Sequence, residues 1–159
     1  MTPKELHCRL EDWEFGKGVR EFASETEIQN LEDVWRIKLP HDFKRFLLQT
    51  NGFDGACGDW GFVIYNIDEI ISFYNHNTKP YNDFLPANVV QFGGDGGGEI
   101  FLFDFRKNQP FWGVTSGIMG MDEFIKLGTT FNEFIENYYW TSIKGFEFGK
   151  TINDKLDLL

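Results

Sequence analysis

Residues that could do chemistry are few and scattered along the chain. The histidines are His7, His41 and His76, and the cysteines are Cys8 and Cys57. No two histidines have the i, i+4 spacing of a helical zinc pair, and neither cysteine belongs to a CxxC pair. No GxSxG motif marks a serine nucleophile. We therefore expect no catalytic residue, no bound metal and no cofactor.

Two glycine- or aspartate-bearing stretches offer weaker signals for ligand binding. The glycines of residues 93–98 could place backbone N–H groups around a phosphate, but the stretch lacks the GxxxxGK[ST] pattern and leads into a strand pattern. A hairpin or bulged loop that needs glycine at positive φ explains it better. Asp54 and Asp59 could bind calcium, yet the residues between them lack the alternating oxygen ligands of a calcium loop. Neither stretch predicts a ligand site.

The same region carries residues suited to contact with another protein. Trp60 lies among Gly and Asp residues, where an aromatic ring beside carboxylates would form an interface hot spot with a charged rim. The alternative for Trp60 and Trp112 is a place in the core, where most tryptophans are largely buried. The candidate partner contacts, chosen by loop position and chemistry, are Asp54, Asp59, Trp60, Asp95, Glu99 and Trp112.

The charge of the chain is negative and unevenly placed. The formal net charge is -10 at pH 7. Residues 46–105 hold eight acidic side chains and one basic one, Lys79, and residues 21–35 add five acids and no base. Phosphates repel such a surface, so nucleic acid is a poor partner. Two interpretations stay open: the acids keep the chain soluble, or they attract a basic protein partner.

Length and hydropathy indicate the organisation of the chain. A length of 159 residues is that of one domain, so we expect a single domain over residues 1–159. No apolar run approaches the roughly 20 residues of a membrane span, and Lys4, Glu5 and Arg9 stand where a signal segment would be apolar. Two cysteines do not make a disulfide framework. We expect a cytoplasmic protein with no membrane partner.

Two capping boxes and one proline predict three helices. Ser24 and Glu27 have the spacing at which each side chain bonds the other residue's backbone N–H, and Thr130 and Glu133 repeat it. Pro40 suits the first turn of a helix, because the N–H that it lacks has no partner there in any case. The predicted helices cover residues 24–35, 40–50 and 131–139.

Beyond Gly52 the pattern changes to strands and turns. Strands are predicted at residues 62–67, 89–92, 99–105, 111–115 and 124–127, and a loop at residues 53–61. Alternation places the phenylalanines at 101, 103 and 105 on one face and Ile100, Leu102 and Asp104 on the other, as in a sheet covered on both sides. The predicted buried residues are Ile28, Leu31, Phe43, Phe46, Leu47, Phe101, Phe103, Phe131 and Phe134.

Taken in order, these motifs resemble those of a known family, the SUKH superfamily. The motifs are residues 24–32, residues 39–47 (Leu-Pro-His-Asp-Phe-Lys-Arg-Phe-Leu), Asn51-Gly52, residues 92–105 with their glycines, and residues 130–135. Their order and spacing agree with an opening pair of helices, a glycine-bearing hairpin and a C-terminal helix. The resemblance covers residues 22–140, and leaves residues 1–21 as an N-terminal extension and residues 141–159 as a C-terminal tail.

The resemblance implies both a fold and a function. The implied fold is α+β: helices that flank a curved, mainly antiparallel sheet. Bacterial members of the superfamily are largely immunity proteins of toxin systems, and fungal relatives are regulators linked to cell-wall synthesis. The resemblance therefore implies a bacterial immunity protein without an active site, which binds and neutralises a cognate toxin by occlusion. The acidic charge favours a basic toxin, such as a nuclease.

Two other functions stay open at this point. One is a regulatory protein-binding scaffold that is not paired with a toxin, as in the fungal relatives. The other is an acid–base hydrolase, which would need two convergent carboxylates in a cleft with pKa values pushed apart. A large toxin gene immediately upstream would favour the immunity function.

Overall fold

The computed structural model describes residues 18–19, 21–57, 60–78, 85–86, 88–106, 111–116 and 124–138. Over these ranges helices pack on one antiparallel sheet, which confirms the predicted α+β class. The strands are β1 Gly18–Val19, β2 Phe53–Cys57, β3 Trp60–Ile64, β4 Val89–Gly94, β5 Glu99–Asp104, β6 Phe111–Ser116 and β7 Ile125–Gly128. The helices are α1 Glu25–Trp35, α2 His41–Leu47, α3 Ile67–Thr78 and α4 Phe131–Tyr138. The strands lie in the sheet in chain order.

The two predicted capping boxes are both formed. The backbone N–H of Glu27 donates to Ser24 Oγ at 3.2 Å, and the N–H of Ser24 donates to Glu27 Oε2 at 2.7 Å. At the start of α4, the N–H of Glu133 donates to Thr130 Oγ1 at 3.1 Å, and Glu133 Oε2 accepts from the N–H of Thr130 at 3.3 Å. Each box satisfies two backbone donors that the first helical turn leaves without partners.

Helix α3 was not predicted from the sequence. The apolar run at residues 62–67 was interpreted as one strand, but β3 ends at Ile64 and α3 begins at Ile67. A third capping box causes the change, because Asn66 and Glu69 exchange two backbone-to-side-chain bonds of 2.8 Å each. The Asn-Ile-Asp-Glu motif was therefore the available signal for this helix.

Two further boundaries differ from the prediction. The described part of the predicted loop at residues 53–61 is strand, because Phe53–Cys57 of β2 pairs along its whole length with β3. Helix α2 ends at Leu47 and does not reach Thr50, whose hydroxyl donates to the carbonyl of Gly52 at 2.6 Å. Gly52, immediately before β2, has a φ of +91°, a conformation that favours glycine.

The main core lies between the helices and one face of the sheet, and it is aromatic. All nine residues predicted to be buried are buried. The rings of Phe43 and Phe131 lie 4.9 Å apart, so α2 meets α4, and Phe92 of β4 meets Phe134 of α4 at 5.1 Å. Both pairs are inclined or edge-to-face, the geometry that aromatic quadrupoles favour.

The opposite face of the sheet, which we call the second face, is covered in part. Leu85, Val89 and Leu102 form a separate buried cluster, against which Ile100 and Phe124 pack. Phe101 and Phe103 belong to the main core, so the predicted alternation of β5 between two covered faces is confirmed.

A buried carboxylate joins α1 to the start of α2. Glu32 is 2% exposed, and its oxygens accept from Lys38 Nζ at 2.7 Å, Lys44 Nζ at 2.5 Å and the backbone N–H of Leu39 at 2.8 Å. Burial raises the pKa of Glu32, but the bonds from Lys38, Lys44 and Leu39 outweigh it and hold this pKa at about 2. The carboxylate is thus charged at neutral pH and links α1 to Lys44 of α2.

Candidate partner-binding surface

The start of β3 and the β4–β5 turn lie side by side at one end of the sheet. Trp60 begins β3, and a Cβ added to its neighbour Gly61 would lie 2.4 Å from the carbonyl oxygen of Asp95. Only glycine permits so close an approach of the two hairpins. Asp59 and the side chain of Trp60 lie outside the described residues.

Asp95 is a turn residue and not an exposed contact. It is 3% exposed, and its Oδ1 accepts from the backbone N–H groups of Gly97 and Glu99 at 2.8 Å each. Gly96 and Gly98, which lie between Asp95 and Glu99, have positive φ, as predicted for the hairpin. The carboxylate is occupied with holding this turn, so we remove Asp95 from the candidate contacts.

Glu99 is half-buried beside the end of α4. Its Oε2 accepts from the hydroxyl of Tyr138 at 3.0 Å. Burial raises the pKa of Glu99, the Tyr138 bond opposes this rise, and the charge of Asp95 adds to it. Glu99 lies on the helix-covered side of the sheet and stays a candidate contact.

Trp112 is a core residue. Its side chain is 0% exposed, and its ring stacks on Phe103 at 4.3 Å and meets the edges of Phe92 and Phe43 at 4.9 and 5.0 Å. Trp112 alternates inward on β6, so the alternative of a place in the core describes it, and we do not propose it as a contact. Within the described ranges its indole Nε1 has no hydrogen-bond partner.

Asp54 lies on the second face, away from Glu99. It pairs with Val63 across β2 and β3, Val63 pairs with Gly94, and Gly94 pairs with Ile100, so the four share one cross-sheet row. Glu99 is the neighbour of Ile100 in β5 and therefore points to the other face. The candidate carboxylates that the structure describes do not converge on one face.

An aromatic pair outside the sequence-based candidates lies near that row. The rings of Tyr65, which follows β3, and Phe73 of α3 stack at 4.6 Å with an interplanar angle of 10°. The Tyr65 hydroxyl accepts from Gln91 Nε2 at 3.2 Å, and Phe73 is 38% exposed. The capping box of α3 was the signal that could have placed Phe73 on a helix beside this strand end.

Comparison with known proteins adds one finding. The family model described as SMI1 / KNR4 family (SUKH-1) matches residues 23–137. The chain belongs to the SMI1/KNR4 family. The match begins immediately before the Ser24 cap and ends inside α4, so it covers α1, α2 and α3 and all of α4 except Tyr138 of this SMI1/KNR4 domain. A comparison with curated proteins finds no match.

The described charges of this SMI1/KNR4 domain are not all available to a partner. Besides Asp95, Asp104 is buried at 2% exposure, and its carboxylate pairs with Arg106 at 2.6 Å. Among the described residues, no three His, Cys, Asp or Glu side chains are grouped so that they could hold a metal ion. No helix in the described ranges is both long enough and apolar enough to span a bilayer.

Proposed function

We propose that the protein is a non-catalytic immunity protein that binds a cognate toxin and covers its active site or another essential surface. Membership of the SMI1/KNR4 family carries the proposal, because SUKH proteins from bacteria are largely immunity proteins. We place this activity in the cytoplasm, in accord with a composition that provides no disulfide framework.

The toxin that we propose is basic. A net charge of -10 raises the rate of encounter with a positive surface, and a nuclease needs such a surface for its own substrate. Asp54 and Glu99 remain candidate contacts, and Asp59 and Trp60 are retained as candidates on the strength of the sequence. Because Asp54 and Glu99 lie on opposite faces, we favour a partner that contacts both faces at the end of the sheet where the β4–β5 turn lies, which we call the hairpin end.

The carboxylates at that end support binding better than hydrolysis. Glu99 has the raised pKa of a general acid, but its carboxylate is bonded to the Tyr138 hydroxyl. The nearest described carboxylate, Asp95, is turned into its own hairpin and bonds backbone N–H groups there. Asp95 is therefore not placed to act with Glu99 as the second carboxylate of a hydrolase site.

The experiment uses the protein encoded by a neighbouring toxin gene. Purified wild-type protein should inhibit that toxin at about equimolar amounts. Neutralising three candidates together, by Asp54→Asn, Asp59→Asn and Glu99→Gln, should slow association roughly tenfold at low salt, and less as salt rises. The matched control is Glu21→Gln, Glu25→Gln and Asp33→Asn, which removes three charges at and before α1.

The outcomes separate the function from the contact surface. Failure of the wild type to bind or inhibit the toxin would overturn the immunity proposal. Inhibition with equal association rates in both triple variants would keep the function and reject the hairpin end as the binding surface.

A further inference from the structure

We infer that Tyr65 and Phe73 form a docking shelf for an arginine side chain of the protein partner. This inference rests on the proposed function, since it names a contact within the same binding event. The pair is called the aromatic shelf below. It lies at the end of β3, beside the row that contains Asp54 and Val63.

The aromatic shelf is partly exposed and already ordered. The near-parallel rings, 4.6 Å apart, present the 38% exposed Phe73 to solvent. Tyr65 is held by its hydroxyl, which accepts from Gln91 Nε2, and by its backbone N–H, which donates to the carbonyl of Phe92 at 2.9 Å. The rings are thus ordered before a ligand binds, so binding does not incur the entropic cost of ordering them. Such preorganised aromatic residues are typical of interface hot spots.

A glycine beside the aromatic shelf leaves space for a ligand. The strand partner of Val63 is Gly94, and a Cβ there would lie 3.9 Å from the Tyr65 hydroxyl oxygen. A Cβ at Gly94 would also meet the carbonyl oxygen of Glu99 at 2.8 Å. The sheet beside Tyr65 thus has no side chain at this position that could compete with a ligand.

Charge determines the kind of side chain that fits. Glu69 precedes Phe73 by one helical turn, and its charge adds to the effect of burial, which is the larger cause of the raised pKa of Tyr65. Asp68 is exposed in the same turn of α3, and Asp54 is the strand partner of Val63, two residues before Tyr65. The charge of Glu69, which acts on Tyr65, and the negative face of an aromatic ring both favour a cation.

An arginine side chain fits an aromatic ring face with a carboxylate at its edge better than a lysine side chain does. A guanidinium is planar, so it can stack on an aromatic ring and still donate to a carboxylate at its edge. A lysine ammonium is a compact, strongly hydrated charge and gains less from the ring face. Arginine also pairs with carboxylates elsewhere on the chain, so the part of its preference over lysine that depends on Phe73 measures the shelf.

The test compares a hexa-arginine peptide with a hexa-lysine peptide on the full chain. The wild type should bind hexa-arginine about two- to fivefold more tightly, the range of an exposed cation–π contact. In nuclear magnetic resonance titrations the ring signals of Tyr65 and Phe73 should shift saturably. Phe73→Leu, which keeps an apolar side chain without a π face, should reduce the preference.

Phe22→Ala is the matched control, since Phe22 is 74% exposed and lies beside the end of α2, where Ala23 N–H donates to Leu47 O. Its variant should keep the preference for arginine. Equal affinity of the wild type for both peptides, or an unchanged preference in Phe73→Leu, would overturn the inference. Thermal unfolding of each variant verifies that the fold is retained.

The two proposals fail in different ways. If the neighbouring toxin binds the wild type and Phe73→Leu equally, with equal dissociation rates, the shelf is rejected and the immunity function stands. If the shelf prefers arginine but no toxin is bound, the immunity function is rejected instead.

Discussion

Replacing Glu32 with glutamine removes a charge that three donors share. The buried carboxylate accepts from Lys38, Lys44 and the backbone N–H of Leu39. Glutamine keeps the shape of the side chain and an oxygen for the Leu39 N–H, but it presents no negative charge to the two lysines. The variant therefore isolates the ionic part of the α1–α2 connection.

The expected magnitude follows from the pKa of Glu32. Its fall from 4.5 to about 2 corresponds to about 3 kcal/mol of stability at pH 7, at 1.36 kcal/mol for each pH unit. Lys38 is 73% exposed, so solvent and salt screen part of that interaction. We expect Glu32→Gln to lower the free energy of unfolding by about 2 kcal/mol at pH 7.

The lowered pKa of Glu32 determines how the stability difference between the two proteins changes with pH. A carboxyl group whose pKa is lowered by folding contributes its full stability above the unfolded value of 4.5 and loses it as pH falls towards 2. Urea unfolding, followed by tryptophan fluorescence, should therefore show a deficit for Glu32→Gln that is constant above about pH 5 and shrinks below it. Titrations common to both proteins cancel in the difference. A deficit as large at pH 3 as at pH 7 would refute the ionic explanation.

Two further substitutions test local geometry. Arg36 follows α1 with a φ of 56°, so Arg36→Gly should raise the free energy of unfolding by about 1 kcal/mol, because glycine adopts this conformation without a Cβ clash; a loss of stability in urea unfolding would contradict this reasoning. Tyr138→Phe removes the hydroxyl bond that lowers the pKa of Glu99, so that pKa should rise further; a carboxyl ¹³C titration measures it, and an unchanged value would show that the bond has no role.

The parts of the fold that the sequence predicts are those encoded locally. The caps at Ser24 and Thr130 depend on side chains three residues away, so the helices that they start could be recognised directly. Alternation in β5 could be recognised for the same reason. β2 could not, because its Asp and Gly residues have weak strand preference and its order comes from pairing with β3.

The candidate site was less predictable, because it depends on burial. Trp112 and Asp95 both have residue types suited to an interface, and only the folded chain shows that one is in the core and the other caps its own turn. Tyr65 and Phe73 become neighbours only because a strand ends and a helix begins between them. The Asn66–Glu69 capping box marks the start of that helix in the sequence, but the ring contact itself depends on the folded chain.

The chain order of the strands has a consequence for the folding pathway. Each strand pairs with its sequence neighbours, so most of the sheet can grow hairpin by hairpin at low loop-closure entropy. The contact of α4 with α2 is different, since the N–H of Asn132 donates to Asp42 Oδ2 at 3.0 Å across 90 residues of sequence. We expect α4 to dock late, so a nascent chain exposes its aromatic core until residues 131–138 leave the ribosome.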